Sequence, residues 1–238
     1  DLGYLHYPEA HRPLDRWYLD WTTRRHTRLA AHLIADSQAT CADLIRTYQA
    51  DPARITVVYP GRDESLARVE DPATIAAVKI RYGITGDYLL YLGTLQPRKN
   101  LIRLVEAFSN IKNQASNKYP ASDLQLPTSN LQLVLAGQKG WLCADLFARV
   151  ESLGLSDHVV FTGYVTDDDK AALLSGATAL VYPSLYEGFG LPVLEAMACG
   201  VPVLTSNVSS LPEVAGEAAL LVDPLDTDAI AAGMARLI

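Results

Sequence analysis

From residue 88 onward, short apolar runs alternate regularly with segments of helical spacing. The apolar runs have the length and composition of strands, whereas Leu101, Leu104 and Phe108 recur at the spacing of one helix face. Buried strands that alternate with helices predict a doubly wound parallel α/β sheet. We expect strands at 88–93, 131–136, 159–162, 179–182, 202–205 and 220–222, and helices at 100–112, 144–153, 166–175, 192–199 and 227–238.

The part of the sequence before residue 88 is less regular. Its charged stretch from 62 to 72 has no periodicity, which is typical of a linker. We therefore expect an amino-terminal unit (1–62), a linker (63–71) and a carboxyl-terminal α/β domain (72–238). The elements expected here are strands at 33–37 and 55–59 and helices at 15–31, 38–49 and 72–82.

Charge and cysteine content exclude several classes of function. A formal net charge of −7 argues against nonspecific nucleic-acid binding, which needs a basic surface. No apolar run approaches the ~18 residues of a membrane span, and the first residues lack the basic and apolar regions of a signal peptide. Cys41, Cys143 and Cys199 are far apart, which predicts small buried side chains in a reducing compartment. The sequence thus predicts a cytoplasmic protein.

The helix expected at 15–31 carries Trp17 and Trp21 among several arginines. The favoured interpretation is a surface helix whose aromatic side chains pack inward and whose arginines are solvated, because Asp15 and Asp20 dilute the positive charge. The alternative is a face that contacts anionic lipid head groups or a charged acceptor, which would make the protein peripheral to the inner face of the membrane.

The segment from Tyr182 to Gly200 has the pattern of a strand, a glycine-bearing loop and a helix with Pro192 in its first turn. The start of such a helix has unpaired backbone N–H groups and the positive end of the helix dipole, so it suits a phosphate. Two acids flank it in a Glu-x7-Glu pattern, Glu187 before the glycines and Glu195 within the helix.

A pair of cations, Arg98 and Lys99, follows the strand that ends at Gly93. Cations near the start of a helix are unfavourable unless an anion is present. An arginine fork and a lysine ammonium can together bind a diphosphate, so we interpret the pair as a phosphate site and keep a solvated basic turn as the alternative. Ligands bind at the carboxyl ends of parallel strands, where Gly137, Gly163 and Ser184 also lie.

Glu195 is placed about one turn behind the expected helix start, roughly 5–6 Å at a rise of ~1.5 Å per residue. That offset is about the distance from a pyrophosphate to a ribose. A carboxylate at this position can accept hydrogen bonds from the ribose hydroxyls, as acids do in dinucleotide sites. Its apolar neighbours indicate a buried helix, in which an unused carboxylate would be costly.

Taken together, these motifs resemble the signature of the retaining GT-B glycosyltransferases of group 1 (family 4), which use nucleotide-sugar donors. The resemblance covers nearly the whole chain and is most specific from 88 to 224. It implies a Rossmann-like carboxyl-terminal domain with a partial Rossmann-like amino-terminal domain. It also implies transfer of a hexose from a nucleotide diphosphate to a glycan or lipid-linked acceptor with retention, without a metal or a cofactor.

The resemblance also implies roles for single residues. Lys99 would contact the donor phosphates, with Arg98 as the second cation because Thr94 stands where many members carry an arginine. Glu187 would hold hydroxyls of the donor sugar, so we assign leaving-group stabilisation and catalysis to Glu187, Arg98 and Lys99. The expected substrate-binding residues are Gly93, Thr94, Gly163, Tyr164 and Val165, of which 163–165 lie at the base, together with Gly188, Phe189, Gly190, Leu191 and Glu195, the last at the ribose.

Several further expectations concern residues outside this set. The side chains of Tyr186 and Phe189 should pack rather than react, and the acids at 167–169 should cap a helix rather than bind metal. The polar segment 113–130 is long for a connection and predicts a mobile insertion. By resemblance, Asp1 would belong to a His-Asp pair of the amino-terminal domain, and both ends of that family's chain would be cut here.

The donor favoured by the resemblance of 93–100 to mannosyltransferases is GDP-mannose, and UDP-glucose is next. Two other functions stay open: a fragment that only binds nucleotide sugar, and a nucleotide-sugar epimerase of the same architecture. The expected partners are therefore the donor and the glycan or lipid-linked acceptor, with no nucleic acid.

Overall fold

A computed structural model of the chain describes residues 2–113 and 130–238. Asp1 and nearly all of the expected insertion lie outside these residues. The strands are β1 (Leu33–Ala35), β2 (Ile55–Val57), β3 (Tyr88–Leu92), β4 (Gln132–Ala136), β5 (Val159–Gly163), β6 (Ala179–Tyr182), β7 (Val203–Ser206) and β8 (Leu220–Val222). The helices are α1 (Gly3–His6), α2 (Pro13–Leu29), α3 (Gln38–Tyr48), α4 (Pro72–Arg81), α5 (Leu101–Asn113), α6 (Ala144–Ser152), α7 (Asp167–Ser175), α8 (Leu191–Ala198), α9 (Leu211–Ala215) and α10 (Thr227–Ala235).

Six strands form one parallel sheet in the order β5-β4-β3-β6-β7-β8, which confirms the predicted fold class. Every residue of β4 and β6 is buried, because helices cover both faces of the sheet. Helices α5, α6 and α10 pack together, as do α4 with α7 and α8 with α9. The consecutive apolar runs in the sequence are therefore the central strands of this sheet.

The strand order reverses between β3 and β6, which are neighbours in the sheet although β4 and β5 separate them in the chain. Such a reversal opens a crevice at the carboxyl ends of the strands, where ligands bind in open α/β sheets. Gly137 has φ +152°, and a Cβ there would lie 2.0 Å from the carbonyl oxygen of Gly93. Glycine is therefore required for the two strand ends to approach at this edge.

A second, two-stranded parallel sheet, β1-β2, forms with α1 to α3 a small separate core. Glu213 joins it to the larger sheet by accepting hydrogen bonds from the backbone N–H groups of Gln38 and Ala39 at 2.9 and 3.1 Å. Asp43 of α3 accepts a hydrogen bond from the hydroxyl of Tyr186 at 2.8 Å. The smaller unit is thus attached close to the loop that carries Glu187.

The expected packing of α2 is wrong. Trp17 and Trp21 are 65% and 47% exposed and stack on each other with ring centroids 6.3 Å apart. The inner side of the helix is occupied instead by residues such as Thr23, whose hydroxyl accepts a hydrogen bond from Tyr4. Helical spacing predicted the helix correctly but did not show which of its faces is covered. In the described part of the chain, no helix is long and apolar enough to cross a membrane.

Smaller corrections concern element ends and caps. The strand expected at 55–59 ends at Val57, α10 ends at Ala235, and the short helices α1 and α9 were not predicted. The N-cap residue of α7, Thr166, makes no side-chain capping hydrogen bond, and within 2–113 and 130–238 no other side chain replaces it. Instead, Asp169 forms an ion pair with Arg81 and accepts a hydrogen bond from Tyr82. Among the cysteines, Cys199 is buried as expected, whereas Cys41 and Cys143 are only partly buried.

Candidate functional site

Three ionic side chains meet where the strand order reverses. Nζ of Lys99 lies 2.5 Å from Oε1 of Glu187, and a guanidinium nitrogen of Arg98 lies 3.1 Å from Oε2 of the same carboxylate. Lys99 and Arg98 stand on a 3-10 turn after β3, whereas Glu187 follows β6. The structure therefore brings together the three residues that were assigned to catalysis.

The cluster is almost sealed from solvent, since Lys99 and Glu187 are 7% and 6% exposed. Burial raises the pKa of Glu187, but the charges of Lys99 and Arg98 outweigh it and hold that pKa below its ordinary value of 4.5. Burial is also the largest influence on Lys99 and lowers its pKa from 10.5, against the opposing charge of Glu187. The Glu187 carboxylate is thus ionised at neutral pH. A further anion in the site would stabilise the charged form of Lys99.

The loop that carries Glu187 is fixed by hydroxyl groups from the segment before α9. The backbone N–H of Glu187 donates to Oγ of Ser209, while the hydroxyl of Ser210 contacts the carbonyl oxygens of Glu187 and Phe189 at 2.9 and 2.7 Å. The sequence patterns did not single out these serines. Tyr186 is buried as expected for a packing residue.

A cavity of about 350 Å³ opens beside this ionic cluster. The start of α8 faces it, and among the residues that the structure describes no side chain caps that helix. Its N-cap residue, Gly190, has φ +114°. An uncapped helix start beside two cations is suited to an anion. The residues that line the cavity are Asp36, Pro60, Gly93, Lys99, Tyr182, Glu187, Gly188, Phe189, Gly190, Leu191 and Pro192.

A second cavity of about 330 Å³ adjoins the first, because Gly93 and Pro192 line both. Within it, Oε1 of Glu195 lies 3.1 Å from Nζ of Lys170. The other lining residues are Leu92, Thr94, Ala136, Gly137, Gln138, Tyr164, Val165 and Asp167. We name the first the ionic cavity and the second the Glu195 cavity.

Most predicted site residues line one of these two cavities. Arg98 does not line the ionic cavity but donates to Glu187, which does. Gly163 does not line the Glu195 cavity, and its carbonyl oxygen accepts a hydrogen bond from the N–H of Gly137, which does. Asp36 and Lys170 were not identified from the sequence. Asp36 follows a short strand, and that position was the available signal. In the described ranges, no three His, Cys, Asp or Glu side chains cluster closely enough to hold a metal ion.

Comparisons with known proteins identify two sequence families along the chain. The profile of "Glycosyl transferases group 1" matches residues 81–238, and that of "Glycosyltransferase Family 4" matches residues 2–66. O-antigen chain mannosyltransferase B of Escherichia coli is 37% identical over 235 residues, which cover 98% of this chain and 58% of that protein.

Solved structures show the same fold. HepE from Anabaena, solved in complex with UDP and glucose, superposes with a TM-score of 0.76 at 23% identity over 94% of this chain and 57% of its own. Sucrose-phosphate synthase from Thermosynechococcus elongatus gives a TM-score of 0.76 at 26% identity over 100% of this chain and 56% of its own. The chain therefore spans less than two thirds of the length of these relatives.

Proposed function

The chain belongs to the group 1 glycosyltransferases, and on that premise we propose that it holds the donor site for a nucleotide-diphosphate sugar. The diphosphate lies between Lys99, Arg98 and the start of α8, the hexose lies in the ionic cavity, and the nucleoside lies in the Glu195 cavity. The two cavities adjoin at Gly93 and Pro192, so one extended ligand can occupy both.

The observation that carries this proposal is the pair of cations beside an uncapped helix start at the strand reversal. When the bond from sugar to phosphate breaks, negative charge develops on the departing diphosphate. Lys99, Arg98 and the α8 backbone stabilise that charge in a buried setting, where electrostatic effects are largest. Glu187 keeps both cations in place and offers carboxylate oxygens to the sugar hydroxyls.

Base recognition and ribose binding are assigned to the Glu195 cavity. Tyr164 and Val165 line this cavity, so their backbone groups face the base, and Gly163 adjoins them as the last residue of β5. Glu195 accepts hydrogen bonds from the ribose hydroxyls. Lys170 holds the Glu195 carboxylate in place, with its Nζ 3.1 Å from Oε1. Thr94 lies at the junction with the diphosphate.

GDP-mannose is the proposed donor and UDP-glucose the alternative. The name of the Escherichia coli relative supports mannose, whereas the HepE structure contains UDP and glucose. We propose that the hexose is transferred with retention to a glycan or lipid-linked acceptor. We further propose that the chain divides into the amino-terminal unit 1–62, the linker 63–71 and the donor domain 72–238.

Calorimetry with GDP, UDP and ADP tests the donor assignment, and we expect GDP to bind most tightly. A transfer assay with GDP-mannose and a mannose-containing oligosaccharide then tests the reaction, with product stereochemistry read by proton NMR. Donor binding without transfer would support the binding-only alternative for this chain. An epimerised donor formed without glycosylated acceptor would overturn the transferase assignment.

The exposed face of α2 supports a further proposal, peripheral contact with an anionic membrane. Leu14, Trp17 and Trp21 share one helix face, and a guanidinium of Arg25 lies over the Trp21 ring at 6.0 Å. Aromatic and basic side chains on one helix face are typical of binding to an anionic lipid surface. Such contact would place the site near a lipid-linked acceptor.

A further inference from the structure

Asp36 carries a buried carboxylate oxygen, Oδ1, that has no hydrogen-bond partner among the described residues. The residue directly follows β1 and lines the ionic cavity together with Lys99 and Glu187. A buried polar atom without a partner costs free energy, about 1–3 kcal/mol in protein variants, and more when the group is charged. The position therefore calls for a physical explanation.

Neighbouring structure does not use this side chain. Ser37, and not Asp36, caps α3, because its Oγ accepts a hydrogen bond from the backbone N–H of Thr40 at 3.0 Å. The most deeply buried carboxylates described elsewhere are all paired, since Asp43 contacts His6 and Tyr186, and Asp169 contacts Arg81 and Tyr82. Asp36 is less deeply buried than these as a residue, but its Oδ1 is buried without a partner among the described residues, and the residue lines the ionic cavity.

The charge of Asp36 restricts what it can bind. A carboxylate accepts hydrogen bonds and repels a diphosphate, so its partner is a neutral group with hydrogen-bond donors. Lys99, which lines the cavity, and Arg98, which lies beside it, are already paired with Glu187 where the diphosphate is proposed. A hexose attached to that diphosphate supplies several hydroxyl donors within the same cavity.

We propose that Asp36 is a specificity-determining residue that accepts a hydrogen bond from a hydroxyl group of the donor hexose. The donor sugar is then contacted from both parts of the chain, by Glu187 after β6 and by Asp36 after β1. This inference rests on the proposed donor site. It adds a residue from the amino-terminal unit that distinguishes a nucleotide sugar from the bare nucleotide diphosphate.

Calorimetry on the full chain tests the inference with GDP-mannose against GDP and with UDP-glucose against UDP. The Asp36→Asn and Asp36→Ala variants should bind the nucleotide sugar about 10-fold or more weakly, as expected for loss of a hydrogen bond to a charged group. Binding of the bare diphosphate should change by less than about 2-fold, because no sugar hydroxyl is involved. Asp168→Asn serves as the matched control, since Asp168 is exposed on α7.

Thermal unfolding of the same variants separates this role from a structural one. Because Asp36 leaves an oxygen unpaired, its replacement should leave the unfolding temperature unchanged or raise it, whereas a structural aspartate would lower it. The inference would be overturned if the variants bound the nucleotide sugar and the bare nucleotide diphosphate equally weakly, or if neither ligand bound more weakly. Either result would leave the proposed donor site intact. If the parent chain binds neither nucleotide-sugar pair, the proposed function itself fails.

Discussion

Nζ of Lys99 lies 2.5 Å from Oε1 of Glu187, although these residues are 88 positions apart in the chain. The pair links the loop after β3 to the loop after β6, across the reversal of strand order. It explains how a lysine can be buried there before any ligand binds. It also holds the ammonium in position, so little reorganisation is needed when a diphosphate arrives.

Replacement of Glu187 by glutamine should destabilise the fold strongly. Lys99 would then be buried without its carboxylate partner, and breaking a buried ion pair typically costs about 3–5 kcal/mol. Denaturant unfolding measures the loss. Glu106→Gln is the control, because its ion pair with Arg149 is substantially exposed and should contribute less than about 1 kcal/mol. A Lys99→Met, Glu187→Gln double variant should lose less stability than the two single changes together.

The same carboxylate should govern part of the acid sensitivity of the fold. The pKa of Glu187 is held below 4.5 in the folded chain, so the stability that it contributes is present above pH 4.5 and is lost as the pH falls through the folded pKa. The difference in unfolding free energy between the parent chain and Glu187→Gln should therefore shrink on acidification below pH 4.5. A constant difference across that range would contradict the assigned ionisation.

Replacement of Glu195 by alanine should weaken the binding of nucleosides and of nucleotide diphosphates by similar factors. The proposed contact of Glu195 is with the ribose, which both ligands contain. Loss of a charge-assisted hydrogen bond there should lower the affinity for each ligand about 10-fold. Calorimetry with guanosine and GDP measures both. Glu151→Ala, an exposed glutamate on α6, is the control. A loss confined to GDP would instead place Glu195 at the phosphates.

Asp43 should stabilise the junction between the two units. Its Oδ2 lies 2.7 Å from Nε2 of His6 and accepts the hydroxyl of Tyr186 at 2.8 Å. Asp43→Asn should lower the free energy of unfolding by about 1–3 kcal/mol. It should also increase hydrogen exchange at the amides near Tyr186. Unchanged exchange there would show that the junction does not depend on this carboxylate.

Contact of α2 with anionic lipid can be measured with phosphatidylglycerol vesicles. The parent chain should cosediment with them and not with neutral phosphatidylcholine vesicles, and a Trp17→Ala, Trp21→Ala variant should lose most of that binding. Trp141→Ala is a closely matched control, because Trp141 is 45% exposed and Trp21 is 47% exposed. Equal binding by all three proteins, or by none, would count against a membrane role for α2.

The larger sheet could be predicted from the sequence because its evidence is local. Residues 88–91 are all fully buried, and such consecutive apolar runs show central parallel strands directly. The carboxyl ends of all strands in a parallel sheet lie at one edge, so the convergence there of the segments that carry Gly93, Glu187 and Glu195 could be foreseen without the strand order. The ends of helices shifted by one to three residues, the largest shift being that of α10, which ends at Ala235.

Other features depend on tertiary contacts that no local pattern records. The direct pairing of Lys99 with Glu187 requires the β3–β6 neighbourhood, and the position of Asp36 requires the docking of the smaller unit. The packing of α2 was predicted wrongly because the spacing of aromatic residues shows that they share a helix face but not whether other residues cover that face. Ser209 and Ser210 act on the Glu187 loop through hydrogen bonds from a distant segment.

The role of Lys99 at the proposed diphosphate site is measured by calorimetric comparison of Lys99→Ala with the parent chain. GDP and guanosine, and UDP and uridine, are titrated into both proteins, and Lys112→Ala near the end of α5 is the control. We expect Lys99→Ala to weaken the binding of the diphosphates by about 10-fold or more and the binding of the nucleosides by less than about 2-fold. Partial unfolding would weaken both ligands alike, so the ratio within each variant is the informative quantity. An equal loss for diphosphate and nucleoside in a folded Lys99→Ala protein would contradict the diphosphate site.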